Sequence, residues 1–252
     1  EHVRERLKAA GLKLENNLFL AVINFIHEDI SNYHLVDYLR DYIDNQLHFS
    51  KSIFYNNQIV VFLSLKDDQV DSSMSTLEKC LKDNDLQGGV SDRFKTIMDI
   101  KKAYLQAQKA LELGKCLFNS RNLYKYWDYR IYHILQLAGE RHKLADLVHP
   151  APLTLKQYDV KNETDTYQTL YTYLCTNKNI KDAADKIFIH RNTMKYRLKQ
   201  IKEIAGINLD NFEECVQIYL SYKILDLINF MPDGPLAKVS NFQPNKEVSN
   251  IL

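Results

Sequence analysis

The chain has 252 residues, enough for one large or two ordinary domains. Apolar residues make up 45% and charged residues 26%, with only 7 Gly and 5 Pro, which excludes collagen-like and linker-rich chains and supplies side chains for a real core. Lys plus Arg number 33 against 32 Asp plus Glu, so the net charge of +1 excludes a uniformly polybasic protein but leaves local patches open.

Residues 1–12 predict a helix, with Val3, Leu7 and Ala10 on one face and Gly11 as its stop, inside a helical lead-in over 1–17. LFLAVINFI (18–26) is short, bulky and β-branched, the pattern of a buried strand. Over 33–47, Leu35, Tyr38, Leu39, Tyr42 and Ile43 form the stripe of an amphipathic helix. SIFYNNQIVVFLSL (52–65) predicts a hairpin turning at Asn56–Asn57, because Asn tolerates the left-handed backbone of a tight turn. A helix is expected over 70–83. Gly88–Gly89–Val90–Ser91 then punctuate the chain before a long helix, 93–113, marked by Ile97, Ile100, Ala103, Tyr104, Ala107 and Leu111 and stopped by Gly114. Residues 122–133 begin as a strand, with a helix following through Leu137.

Strands and helices thus interleave over 18–130, an α+β domain with an antiparallel sheet. A helix and linker are expected over 131–165, where Pro150 and Pro152 break the pattern and the polar KNETDT (161–166) marks a boundary. From 166 to 230 every segment has helical spacing, giving an all-α second domain. The tail, 231–252, carries Pro232, Gly234 and Pro244 with little periodicity.

Cys80, Cys116, Cys175 and Cys215 include no Cys-x-x-Cys pair, so neither a zinc knuckle nor a disulfide scaffold is expected and a reduced cytoplasm is. Cys175 and Cys215 are expected inside the helical domain as small hydrophobes. The longest apolar runs, Leu18–Ile23 and Ile59–Leu63, fall short of the roughly 20 residues of a membrane helix. The chain opens on the charged segment from Glu1, without Met or a secretory leader, and is expected to be a fragment of a longer protein.

The informative stretch is NIKDAADKIFIHRNTMKYRLKQIKEI (179–204). It divides into a short helix (180–187), a tight turn at Phe188–Ile189 and a second helix (191–204). Asn179 can cap the first helix, and Asp182 suits its positive dipole end. Ala183 and Ala184 are small enough for a second helix to cross closely. Ile180, Ala184, Ile187 and Ile189 then face Met194, Leu198 and Ile201, which is the layout of a helix-turn-helix. The other face of the second helix carries Arg191, Asn192, Lys195, Tyr196 and Lys199. Between 177 and 204 eight Lys or Arg oppose three acids, so positive charge is concentrated where DNA phosphates would lie. Arg suits the guanine edge and Asn the adenine edge. His190 and Thr193 can donate to phosphate or cap the helix.

These residues resemble the C-terminal helix-turn-helix of the PucR/CdaR family of bacterial transcriptional regulators. His190, Arg191, Asn192, Thr193, Met194, Tyr196, Arg197 and Leu198 match the stretch that opens the recognition helix in that family. Asn179, Ala183 and Ala184 match the preceding helix, and Gly206 and Leu209 the exit; 169–179 and 211–228 look like the flanking helices. Phe188 departs from the pattern, since a smaller turn residue is usual. The segment 88–114 looks like the strand-to-helix part of the degenerate GGDEF-like domain of these regulators. The hairpin 53–65 would then stand where diguanylate cyclases carry their active hairpin. Cyclase chemistry needs glycines near the nucleotide phosphates and acids for Mg²⁺. The turn offers Tyr55, Asn56, Asn57 and Gln58, and Asn24 stands where a metal-binding Asp would be expected.

No catalytic residue, metal ligand or cofactor is therefore assigned. His27, Glu28 and Asp29 are adjacent and cannot all face one site. Ser91–Asp92 lack a nucleophile elbow, and Gly88–Gly89 lack the rest of a phosphate loop. Tyr124, Tyr126, Tyr129 and Tyr132, and the helical Tyr167, Tyr171 and Tyr173, are expected to pack. The resemblance implies a cytoplasmic, homodimeric regulator that binds double-stranded DNA, with a small-molecule effector received through a domain missing upstream. Arg191, Asn192 and Lys195 are expected to reach bases. Thr193, Arg197, Lys199 and Lys202, with His190 and Tyr196, are expected to hold phosphates or orient the helix. Two other readings stay open: a nucleotide-binding or cyclase-like enzyme on the first domain, and a protein-interaction module whose basic helix docks on an acidic partner.

Overall fold

The computed structural model describes residues 14–25, 33–118 and 120–230, so the expected helix over 1–12, the His27–Asp29 cluster and the tail beyond 230 lie outside the described residues. The chain divides between His133 and Ile134 into two units.

The first unit is built on five strands: β1 (Asn17–Phe25), β2 (Ser50–Tyr55), β3 (Gln58–Leu65), β4 (Leu86–Val90) and β5 (Leu123–Lys125), in the order β2-β3-β1-β4-β5. β1 pairs antiparallel with both β3 and β4. Leu18 to Ile23 are all buried, because this strand has a neighbour on each side and helices over both faces. The hairpin turns as expected: Asn56 (φ 50°) and Asn57 (φ 58°) are both left-handed, which two-residue hairpin loops require. The sheet is mixed, not antiparallel as expected, since β5 runs parallel to β4. The connection between them passes through a helix, and a helical crossover is what a parallel pair needs.

Helices α1 (Tyr33–Gln46) and α2 (Val70–Asp83) cover one face. The buried stripe of α1 is Val36, Leu39 and Ile43, continued by Leu47. It is rotated from the expected one: Leu35 is 44% and Tyr38 61% exposed. The Tyr and Leu flanking this stripe mimic a second one, and only Val36 and Leu47 at its ends decide between them. α1 also satisfies the sheet edge, where Arg40 Nη2 donates to Ser52 O (3.3 Å) and Ser52 N donates to Asp44 Oδ2 (3.3 Å).

Helix α3 (Ile100–Leu117) lies on the opposite face. A Cβ on Gly89 would fall 2.0 Å from Ala107 O and 2.7 Å from Leu111 N, so the glycine lets the two backbones touch. Gly114 was expected to stop this helix but lies within it, where a Cβ would fall 2.1 Å from the Tyr124 ring. The helix also starts later than expected. Residues before it are held extended by paired bonds between Leu18 and Phe94 (3.1 and 2.9 Å), and a 3₁₀ turn, Ile97–Asp99, intervenes. The next helix, α4 (Tyr126–Gly139), begins directly after β5, and Tyr124, Tyr126, Tyr129 and Tyr132 are buried packing residues.

The second unit is helical among the described residues: a 3₁₀ turn (Leu144–Leu147), α5 (Pro150–Asn162), α6 (Thr166–Cys175), α7 (Ile180–Lys186), α8 (Arg191–Ala205) and α9 (Phe212–Phe230). Pro150, expected to break the pattern, starts a helix instead. Proline is tolerated there because a first-turn N–H has no partner within the helix. Ala151 and Leu155 of α5 are buried with Leu170, Met194 and Ile218, so the expected linker region contributes to the helical core. The boundary at 161–166 is a tight corner, closed by Glu163 in the left-handed region (φ 51°). Asp159 Oδ1 accepts from Thr164 Oγ1 (2.6 Å), Thr166 N (2.8 Å) and Thr166 Oγ1 (2.7 Å), while Oδ2 accepts from Tyr167 N (2.8 Å). Cys215 is buried as expected, whereas Cys175, at the last position of α6, is exposed.

Candidate nucleic-acid interface

α7 and α8 form the pair expected from sequence. Ala183 and Ala184 are buried against Met194, Leu198 and Ile201, with Ile180, Ile187 and Ile189 half-buried around them. Alanines at this crossing leave no side-chain bulk between the helices. Asn179 caps α7, its Oδ1 accepting from Lys181 N (2.9 Å) and Asp182 N (3.3 Å). The turn passes through Phe188 at φ 56° and closes with Ile189 N donating to Ala184 O (3.0 Å). His190 caps α8, its Nδ1 accepting from Asn192 N (3.2 Å). A neutral ring that accepts at Nδ1 carries its proton on Nε2, which is left as a donor. Gly206, left-handed at φ 64°, ends α8, and Ile207 and Leu209 return to the core.

The face of α8 turned from this core is polar. Arg191, Asn192, Thr193, Lys195, Tyr196 and Lys199 are exposed, and among the described residues Arg191, Lys195 and Lys199 take part in no ion pair. Tyr196 Oη accepts from Gln200 Nε2 (3.2 Å). Two of the expected site residues are bonded to other side chains of the chain. Arg197 is half-buried and its Nη1 donates to Thr169 Oγ1 (3.3 Å), fastening α8 to α6. Lys202 pairs with Asp210 (3.2 Å). Beneath α6, Tyr222 donates to Tyr167 O (2.9 Å), and its ring lies 4.7 Å from Tyr167 and 5.0 Å from Tyr171. Burial pushes the Tyr167 hydroxyl up to about 12 and those of Tyr171 and Tyr222 higher still, so these rings are neutral packing groups.

The hairpin end of the first unit holds a different constellation. Gln58 Nε2 donates to Asn24 Oδ1 (2.7 Å), while Tyr104 Oη (3.0 Å) and Gln108 Nε2 (3.2 Å) donate to Gln58 Oε1. Gln108 Nε2 also reaches Tyr104 Oη (2.9 Å). Sequence reasoning tied Asn24 and Gln58 to this corner but read Tyr104 only as a helix mark and did not name Gln108; both come from α3, 46 and 50 residues beyond Gln58. Three amides and a phenol thus bond to one another at this corner. Among the described residues no group of His, Cys, Asp or Glu is placed to hold a metal ion, and no helix is long and apolar enough to cross a membrane.

Residues 166–224 match the PucR C-terminal helix-turn-helix domain, and residues 1–113 match the GGDEF-like domain. The chain carries a PucR-type helix-turn-helix behind a GGDEF-like domain. Several proteins that the chain resembles are named as transcriptional activators or regulators. The chain is 29% identical over 138 residues to the proline-responsive transcriptional activator PutR of Bacillus subtilis (strain 168), covering 54% of this chain and 34% of that protein. It is 25% identical over 178 residues to the DNA-binding transcriptional activator AdeR of the same organism, covering 67% and 42%. With the purine catabolism regulatory protein, again of that organism, identity is 27% over 143 residues, covering 56% and 26%. The chain therefore spans well under half the length of these relatives. The PucR-type domain indicates DNA binding.

Proposed function

We propose that this chain is a sequence-specific DNA-binding transcriptional regulator that places α8 in the major groove. One observation carries the reading. α8 is locked into the core along one face, while Arg191, Asn192 and Lys195 stand exposed on the other at its N-terminal end. In this reading those three side chains meet base edges. His190, through Nε2, and Thr193, Tyr196 and Lys199 contact phosphate and sugar. Arg197 and Lys202, already held by Thr169 and Asp210, set the pitch of the helix and touch phosphate only peripherally. A single helix-turn-helix contacts few base pairs, which favours a homodimer on two half-sites about one helical turn apart. The GGDEF-like half then supplies dimer contacts or relays a signal, and a small-molecule effector is sensed by a domain upstream. Relatives named as transcriptional activators favour a non-enzymatic role, and the same reading places the chain in the cytoplasm.

Selection of bound sequences from a random duplex pool tests the reading and yields the operator. The Arg191→Ala, Lys195→Ala double variant is expected to lose about 30-fold or more in operator affinity, from at least roughly 1 kcal/mol for each of the two base-contacting side chains. Unchanged affinity in the folded double variant removes α8 from recognition. Affinity is also expected to fall steeply with salt. A salt-dependent association with acidic protein and none with any duplex would favour the interaction-module reading instead.

A further inference from the structure

Phe188 is 95% exposed, more than any other large apolar side chain among the described residues. Its backbone is left-handed at φ 56°, a conformation that is an outlier for a bulky residue. The other described non-glycine residues with positive φ are Asn, Asp, Glu and Lys: Asn56, Asn57, Asp85, Glu163, Asn177 and Lys178. The turn needs the left-handed backbone, which glycine adopts without strain, but it makes no use of a ring. Neighbouring Ile187 and Ile189 are half-buried against the core, while Phe188 contributes nothing there. Its exposed neighbours in the chain are Asp185, Lys186, His190 and Arg191, in which the cations and donors outnumber the one acid. A net positive surrounding fits a polyanion, and in the major groove the apolar feature of a base edge is the thymine C5-methyl group.

Resting on the reading of α8 as the DNA-contacting helix, we propose that Phe188 is a specificity residue whose ring packs on one thymine methyl in each half-site, beside the bases met by Arg191 and Asn192. It adds an apolar contact to a recognition surface that is otherwise polar. The strain of the left-handed phenylalanine is present with or without DNA, so removing the ring and recording both stability and affinity separates the two effects.

The test uses the full chain and its selected operator, with thymines replaced one position at a time by uracil, which lacks only the methyl. The wild-type chain is expected to lose about fourfold in affinity at one thymine of each half-site, the value of one buried methyl group. Phe188→Gly is expected to bind the thymine operator about as weakly as the wild-type chain binds the uracil one, and to be indifferent to uracil at that position. Its melting temperature is expected to equal or exceed that of the wild-type chain, which excludes misfolding as the cause. If the wild-type chain prefers its operator yet tolerates uracil everywhere, or if Phe188→Gly keeps the same uracil sensitivity, the contact is overturned while DNA recognition by α8 stands. A wild-type chain with no sequence preference overturns the reading of α8 and this inference with it.

Discussion

Asp159 shows how much one side chain can organise without any local signature. Its two carboxylate oxygens accept four hydrogen bonds, two of them from the first backbone N–H groups of α6. Those N–H groups have no partner within the helix, and a carboxylate also suits the positive end of the helix dipole. Asp159→Ala is expected to destabilise the helical unit by about 2 kcal/mol, the upper range for a lost helix cap. Chemical denaturation followed by circular dichroism checks this, and an unchanged midpoint would show that solvent replaces the carboxylate. The cap at Asn179 was legible because it bonds two and three residues ahead, a spacing visible in the sequence. Asp159 works across a corner seven and eight residues long, from the preceding helix, and no spacing rule points to it.

At the scale of elements, legibility follows the range of the forces involved. α7, its turn and α8 are specified by caps, alternating apolar positions and local charge, and all of these lie within one short stretch of chain. The mixed sheet and the length of α3 depend on close approach between distant segments, which composition does not encode. Gly89 and Gly114 read as punctuation in the sequence, yet each sits inside a regular element because a neighbour leaves no room for a Cβ. Gly89→Ala would force the α3 backbone away from β4 and is expected to destabilise the first unit by about 1–3 kcal/mol or more, the range for overpacking. Thermal unfolding of the variant measures it, and an unchanged melting temperature would show that α3 can slide without loss. The stripe of α1 failed for a related reason: tyrosines and leucines are ambiguous about burial, and only the sheet beneath decides which face they serve.

At the scale of the whole molecule, the class of each half was legible in the order and type of its segments, and the helix-turn-helix in a single motif. The role of α5 was not, because two prolines at a helix start look the same in sequence as two prolines in a linker. If the homodimer proposed above is correct, two chains bind each operator. Sedimentation of the complex on a duplex carrying both half-sites is expected to give a stoichiometry of two, and shifting one half-site by about five base pairs is expected to abolish tight binding by turning it to the opposite side of the duplex. A stoichiometry of one, or indifference to that shift, would mean that each copy acts alone.

The guanidinium of Arg197 couples α8 to Thr169 on α6, and the carboxylate of Asp159 couples the start of α6 to α5. These three helices are thus fastened in series by charged clasps as well as by the apolar core. A tilt imposed on α5 is therefore expected to be transmitted as rotation of the assembly rather than absorbed by a hinge, so the α8 side chains would swing as one block.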